Sequence, residues 1–135
     1  MAGDSASAVQ QAIRAELVAD ASVAALVSTR VVSTRRDGDD YPLIVFGDHL
    51  SSPYDGEALD GEEHFISLHG WDDNNGNVGR ALNLKAAMRN ALHCASLTVS
   101  GHTAVNCRVT DSRLLRGGEN DRLAHVFMRL RVVTH

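Results

Sequence analysis

At 135 residues, with 44% hydrophobic and 22% charged residues, the chain has the size and composition of a single soluble domain. Its formal net charge is −4, from 17 acids against 13 bases, which argues against a surface that grips nucleic acid on every side.

The elements follow in order. Over residues 7–17, Ala8, Val9, Ala12, Ile13 and Leu17 recur at helical spacing, with Ser5 or Ser7 placed to cap the first turn. Asp20 reads as a second cap, opening a short helical turn through Val23, Leu26 and Val27. Arg30-Val31-Val32-Ser33 suits a brief strand, and a polar stretch follows over 35–40. Pro42 biases Tyr41 to extended backbone, and the wholly apolar run 43–46 predicts a strand buried on both faces. Residues 48–61, with Ser51-Ser52-Pro53 and Asp55-Gly56, read as a long acidic loop.

Residues 64–71 alternate, with His64, Ile66, Leu68 and Gly70 on one line and Phe65 and Trp71 on the other, as in a central strand. Asp72-Asp73-Asn74-Asn75-Gly76-Asn77 ends it and caps a helix over 78–94. That helix has an inward stripe of Val78, Ala81, Leu84, Met88 and Ala91, with Arg80, Lys85, Arg89 and Asn90 elsewhere on its surface. Beyond an apolar segment at 97–99 and a Gly101-His102 turn come two long strands, 104–116 and 122–134, joined by Gly117-Gly118-Glu119-Asn120-Asp121 as a hairpin. In the last strand Val126, Met128, Leu130 and Val132 share one face; His125, Phe127, Arg129 and Arg131 share the other, which is wet or meets a partner. The expected architecture is one domain, α+β, with two helices packed on one face of a largely antiparallel sheet of four or five strands.

Chemistry-bearing patterns are sparse. There is no basic segment followed by an apolar run at the start and no apolar stretch of membrane-spanning length, so neither signal peptide nor membrane span is expected, and synthesis should begin in the cytoplasm. Cys94 and Cys107 read as free thiols. With His93 and His102 they are the only metal-ligand types grouped in sequence, and they lack the paired spacing of a zinc site. Counting back from Gly76 puts Trp71 where a calcium loop needs an oxygen ligand. No nucleophile elbow or phosphate-binding glycine loop occurs, and Asp39-Asp40 and Glu62-Glu63 read as solvated acids. No catalytic, cofactor-binding or metal-binding residue is assigned, and no enzyme is expected.

The charge is segregated. Residues 37–63 hold nine acids and no Lys or Arg, so this window carries −9 and leaves +5 for the rest of a chain whose total is −4. Twelve of the 13 bases are Arg, and Arg108, Arg113, Arg116, Arg122, Arg129 and Arg131 fall in the final hairpin. Such a strand face can be plain solvated surface, a nucleic-acid face, or a surface pairing with the acids of a neighbouring copy. With six aromatic residues and no evident array of them, the self-complementary reading is preferred to the nucleic-acid one.

Arg30-Val31-Val32, then Tyr41-Pro42-Leu43-Ile44-Val45-Phe46-Gly47, then His64-Phe65-Ile66-Ser67-Leu68-His69-Gly70-Trp71-Asp72 and the helix bearing Lys85-Ala86-Ala87-Met88-Arg89-Asn90-Ala91-Leu92 resemble the small tail-completion, or tail terminator, proteins of long-tailed phages and of gene transfer agents. The resemblance spans about residues 8–133 and departs from the pattern at Arg35-Arg36-Asp37-Gly38-Asp39-Asp40. It implies a structural virion protein that forms a ring, typically a hexamer, on the head-proximal end of the tail tube. Such a ring stops tube growth and joins the tail to the neck or connector, with DNA passing through its channel, unread. It implies as partners further copies of itself, the tube protein and the neck protein, with no membrane and no cofactor. A ring needs two different patches of one chain to meet. Asp48, Asp55, Glu57, Asp60 and Glu62 on one side and Arg113, Arg116, Arg129 and Arg131 on the other are the candidate interface residues. A competing placement puts the acids on the channel wall, where they repel passing DNA. Another head–tail connector protein, a nucleic-acid-binding module and a small metal-dependent enzyme are the alternatives.

Overall fold

The alternation along the last strand organises the molecule. In a computed structural model that describes residues 5–36, 38–53, 61–118 and 122–135, without the side chain of Val105, the chain runs α1 (Ala6–Ala19), α2 (Ala21–Val27), β1 (Val31–Val32), β2 (Leu43–Pro53), β3 (Glu62–Asp73), α3 (Gly79–Leu92), β4 (Ala104–Gly117) and β5 (Leu123–Thr134). The sheet order is β1-β2-β3-β5-β4, antiparallel except for the β1–β2 edge pair. The architecture is α+β, as expected, with all three helices on one face. Asp20 does cap α2, its Oδ1 accepting from Val23 N at 3.0 Å, and α2 is a helix in its own right.

β5 lies between β3 and β4, and its Val126, Met128, Leu130 and Val132 are fully buried beside Ile66 and Leu68 of β3. Onto this face α3 sets Ala81, Leu84, Ala87, Met88 and Leu92, and α1 sets Val9, Ala12, Ile13 and Leu17. The expected α3 stripe is thus rotated slightly, with Ala87 and Leu92 buried and Val78 and Ala91 at its margins. Gly70 sets how closely α3 approaches. A Cβ there would sit 3.0 Å from Leu84 Cδ2 and 3.2 Å from Val126 Cβ.

Three expectations are corrected. Residues 48–53 are strand, not loop: β2 continues to Pro53 through a bulge between Phe46 and His49, because His49↔Ile66 and Ser51↔His64 restore the alternation. Arg80, placed among the surface residues of α3, turns back to β3. Its Nε donates to both carboxylate oxygens of the fully buried Asp72 at 3.1 and 3.0 Å, and its second nitrogen donates to Oδ1 at 2.6 Å. This hydrogen bond raises the guanidinium pKa above its ordinary value and pins the start of α3 to the sheet. Ser5 occupies the N-cap position of α1, but its side chain makes no cap hydrogen bond.

Instead, Ser5 anchors the N-terminal helix. Its amide and hydroxyl both donate to Glu62 Oε1 at 2.8 Å, and the hydroxyl lies 2.7 Å from His64 Nε2 and 3.0 Å from Thr134 Oγ1. A hydroxyl has one proton, so once it donates to Glu62 it accepts from His64 Nε2–H. His64 Nδ1 then accepts from His49 Nε2 at 2.8 Å, and His49 Nδ1 from Gln10 Nε2 at 3.0 Å. A directed chain of donors runs from α1 through β2 and β3 and ends on a carboxylate.

Gly70→Ala should therefore destabilise the fold by about 1–3 kcal/mol through overpacking, despite the smaller chain-entropy gain. Arg80→Ala should cost about 3 kcal/mol by leaving Asp72 buried and unpaired. Urea unfolding measures both, and adding Asp72→Asn to Arg80→Ala should recover part of the second loss.

Candidate functional site

The face of the sheet opposite the helices carries the other row of each strand. The β3–β5 register pairs Trp71 with His125, His69 with Phe127 and Ser67 with Arg129, and the β4–β5 register sets Arg113 beside Phe127 and Leu115 beside His125. These pairings stack the rings. Trp71 and His125 are nearly parallel, at 4° with centroids 4.0 Å apart. His125 lies edge to edge with His69, centroids 4.9 Å apart and planes 24° from parallel, with His69 Nδ1 and His125 Nε2 2.7 Å apart, and His69 meets the edge of Phe127 at 5.5 Å. Guanidinium groups close both ends, Arg35 over Trp71 at 4.4 Å and Arg113 and Arg129 over Phe127 at 5.0 and 5.5 Å. Each contact of this kind is worth about 0.5–1 kcal/mol near the surface. Gly47 makes room for the band, since a Cβ there would fall 2.5 Å from His69 Nε2.

The two imidazoles are held neutral. Burial, then the neighbouring His69 and the positive charge of Arg35 and Arg113, push His125 down to about 4. Burial lowers His69 as well, against an opposing pull from Asp48. The ring-to-ring hydrogen bond requires at least the accepting ring to be neutral, because its nitrogen must offer a lone pair.

The candidate interface residues separate on this geometry. Arg113, Arg129 and Arg131 share the uncovered face, but Arg131 Nε donates to Glu63 at 2.5 Å within the same subunit. Among the described residues, Arg35, Arg113 and Arg129 have no carboxylate within ion-pair distance. Arg116 shares the opposite row with Ala124 and donates to Gly76 O at 3.1 Å, so the four arginines do not form one patch. Asp48 is exposed at the β2 bulge and, with Leu50, Phe65, Ser67 and Arg129, lines an open hollow of about 270 Å³. Glu62 is committed to Ser5. Asp55, Glu57 and Asp60 lie outside the described residues.

The aromatic array was missed in the sequence because its members are scattered over 71, 125, 69 and 127 and half of them are histidines. Their position on the outward row of two strands was the available signal. Leu50 and Leu115, 63% and 39% exposed, lie on the same face. Cys94 is exposed and Cys107 buried, both free; burial pushes the Cys107 thiol up to about 12. Among the described residues no group of three or more His, Cys, Asp or Glu could hold a metal ion. No helix among them is long and apolar enough to cross a membrane.

The fold is shared with two solved structures. It matches a chain in the virion of a native gene transfer agent particle with a TM-score of 0.85 and 23% identity, covering 98% of both chains. It also matches gp17 of bacteriophage SPP1 with a TM-score of 0.60 and 22% identity, over 94% of this chain and 88% of that one. No curated protein matches by sequence. The family model assigns the class, a structural protein of phage-type tails. The chain belongs to the family of tail completion protein gp17, whose model matches residues 11–135.

Because a native pKa near 4 lies below the ordinary 6.5 of histidine, the band's contribution is complete above pH 6.5 and is lost as pH falls from there toward 4. The thermal midpoint should drop between pH 7 and 5, and His125→Gln should flatten that drop.

Proposed function

We propose that this protein is a tail terminator. It forms a ring, with six copies as the expected number, on the head-proximal end of the tail tube. There it stops tube polymerisation and joins the tail to the neck or connector, leaving a channel through which DNA passes without sequence-specific contact. Its partners are further copies of itself, the tube protein and the neck protein, and it assembles in the bacterial cytoplasm before residing in the particle.

Membership of the tail-completion family over residues 11–135 carries this reading. Two features support it. The fold matches a gene transfer agent virion chain from end to end. The side chains of the domain go into core, anchors and one uncovered aromatic–arginine face, which suits a protein whose work is done between copies. A −9 stretch and a +5 remainder supply the unlike patches that a heterologous ring contact uses, setting encounter rate and register more than affinity. On this reading Asp48, Asp55, Glu57 and Asp60 face Arg113 and Arg129 of a neighbour, while Glu62, Arg116 and Arg131 shape the subunit that carries them.

Deleting the gene should give particles whose heads and tails fail to join and whose tubes vary in length, as seen by negative-stain microscopy. Normally joined tails of uniform length would refute the terminator role. A connector protein in the neck would instead leave detached tails of uniform length.

A further inference from the structure

We infer that Cys94 and Cys107 are a paired redox site, two free thiols that a low-molecular-weight disulfide such as oxidised glutathione converts into one intramolecular disulfide joining the end of α3 to β4. The chemistry stands independently of the tail-terminator reading. Only its occasion, a particle passing from a reducing cytosol to oxidising surroundings, rests on that reading.

The backbone already sets the two residues side by side. Cys94 follows His93, the C-cap of α3, and its amide donates to Cys107 O at 2.8 Å, while His93 Nδ1 accepts from Val109 N at 3.1 Å. A backbone bond of this kind holds two Cα atoms about 5–6 Å apart, inside the window of about 4.4–6.8 Å that a disulfide spans. Both cysteines line one hollow of about 270 Å³ with Ser96, Leu97 and Asn106, which leaves the sulfurs room to turn toward each other. Cys94 also takes a left-handed φ of 62°, at the position after a helix cap where glycine is the usual residue. A thiol thus stands where backbone strain alone would favour glycine.

The two sulfurs divide the reaction. Cys94 is exposed and meets the oxidant first: its thiolate attacks one sulfur of oxidised glutathione, forming a mixed disulfide and releasing one glutathione thiolate. Cys107 is 1% exposed, and burial, then the nearby Cys94, push its thiol up to about 12, so it resolves the intermediate and does not start it. Its proton passes to solvent, its sulfur bonds to Cys94 Sγ, and the second glutathione leaves. Two protein thiols are oxidised and one glutathione disulfide is reduced to two glutathiones. The bond acts on the edge of the sheet. β4 is an outer strand, and the backbone of such a strand is open to pairing with other chains. His93 and Cys94 cover it at Val109 and Cys107, and the disulfide makes that cover permanent.

The test is a glutathione redox titration of the full chain, in native buffer and in urea, read by mass spectrometry of the tryptic digest after free thiols are blocked. Residues 90–108 contain no Lys or Arg before Arg108, so both cysteines fall on one peptide. An intramolecular bond leaves that peptide unblocked and lighter by two hydrogens. Closure should be at least about tenfold more favourable in the folded chain than in urea, and by reciprocity the closed form should unfold at higher urea than the reduced one. Cys94→Ser, at an exposed position, should take up no glutathione while folded, and Cys107→Ala should stop at the glutathione adduct on Cys94. A closure constant no greater in the folded chain than in urea overturns the proposal. So does a wild-type chain that stops at the adduct, or one that links Cys94 to Cys94 of a second copy. These outcomes leave the terminator reading standing, because the titration requires no assembly.

Discussion

The pairing of β3 with β5 is the constraint on which both faces of this molecule depend. Side chains alternate with a period of two, so the register that buries Ile66, Leu68, Val126, Met128 and Leu130 beneath the helices also sets Trp71 against His125 and His69 against Phe127 on the opposite side. A slip of one residue would expose the core row and bury a row of rings and arginines. The large gain from burying the inner row therefore fixes the position of the outer row, where the individual contacts are weak. Glycine adapts the sheet on each side, Gly70 to the helix above and Gly47 to an imidazole below.

The ends of the sheet are held by polar anchors. Asp72 and Arg80 fasten the start of α3 where β3 ends, and the chain of donors from Gln10 through His49, His64 and Ser5 to Glu62 fastens α1 at the other end. These anchors draw on residues whose charge pattern alone suggested surface. Their use inside the subunit narrows the groups left for contact with others: Glu62, Glu63, Arg116 and Arg131 are engaged, whereas Arg113, Arg129 and Asp48 remain outward-facing. Part of the segregated charge thus closes the subunit, and part of it remains outward-facing.

Period and punctuation made most of the fold legible in the sequence. The rows of 64–71 and 123–134, the Asp20 cap and the helix opened by 72–77 all follow from local chemistry. The strand character of 48–53 was not legible, because a bulge breaks the alternation and the residues are polar on both rows. The roles of Ser5 and Arg80 were hidden for a different reason: their partners lie 57 and eight residues away and are chosen by packing. The candidate surface was half legible. Arg113 and Arg129 were identified from alternation, but their convergence on Phe127, and the placing of two hydrogen-bonded histidines between Phe127 and Trp71, required the register between strands.

A domain with these properties suits a member of the tail-completion family. A reconstruction of the assembled particle at side-chain resolution tests this most directly. It should show Trp71, His125 and Phe127 covered by a neighbouring copy, with Arg113 and Arg129 against that copy's carboxylates. A band lining the DNA channel, or open to solvent around the whole ring, would contradict the account.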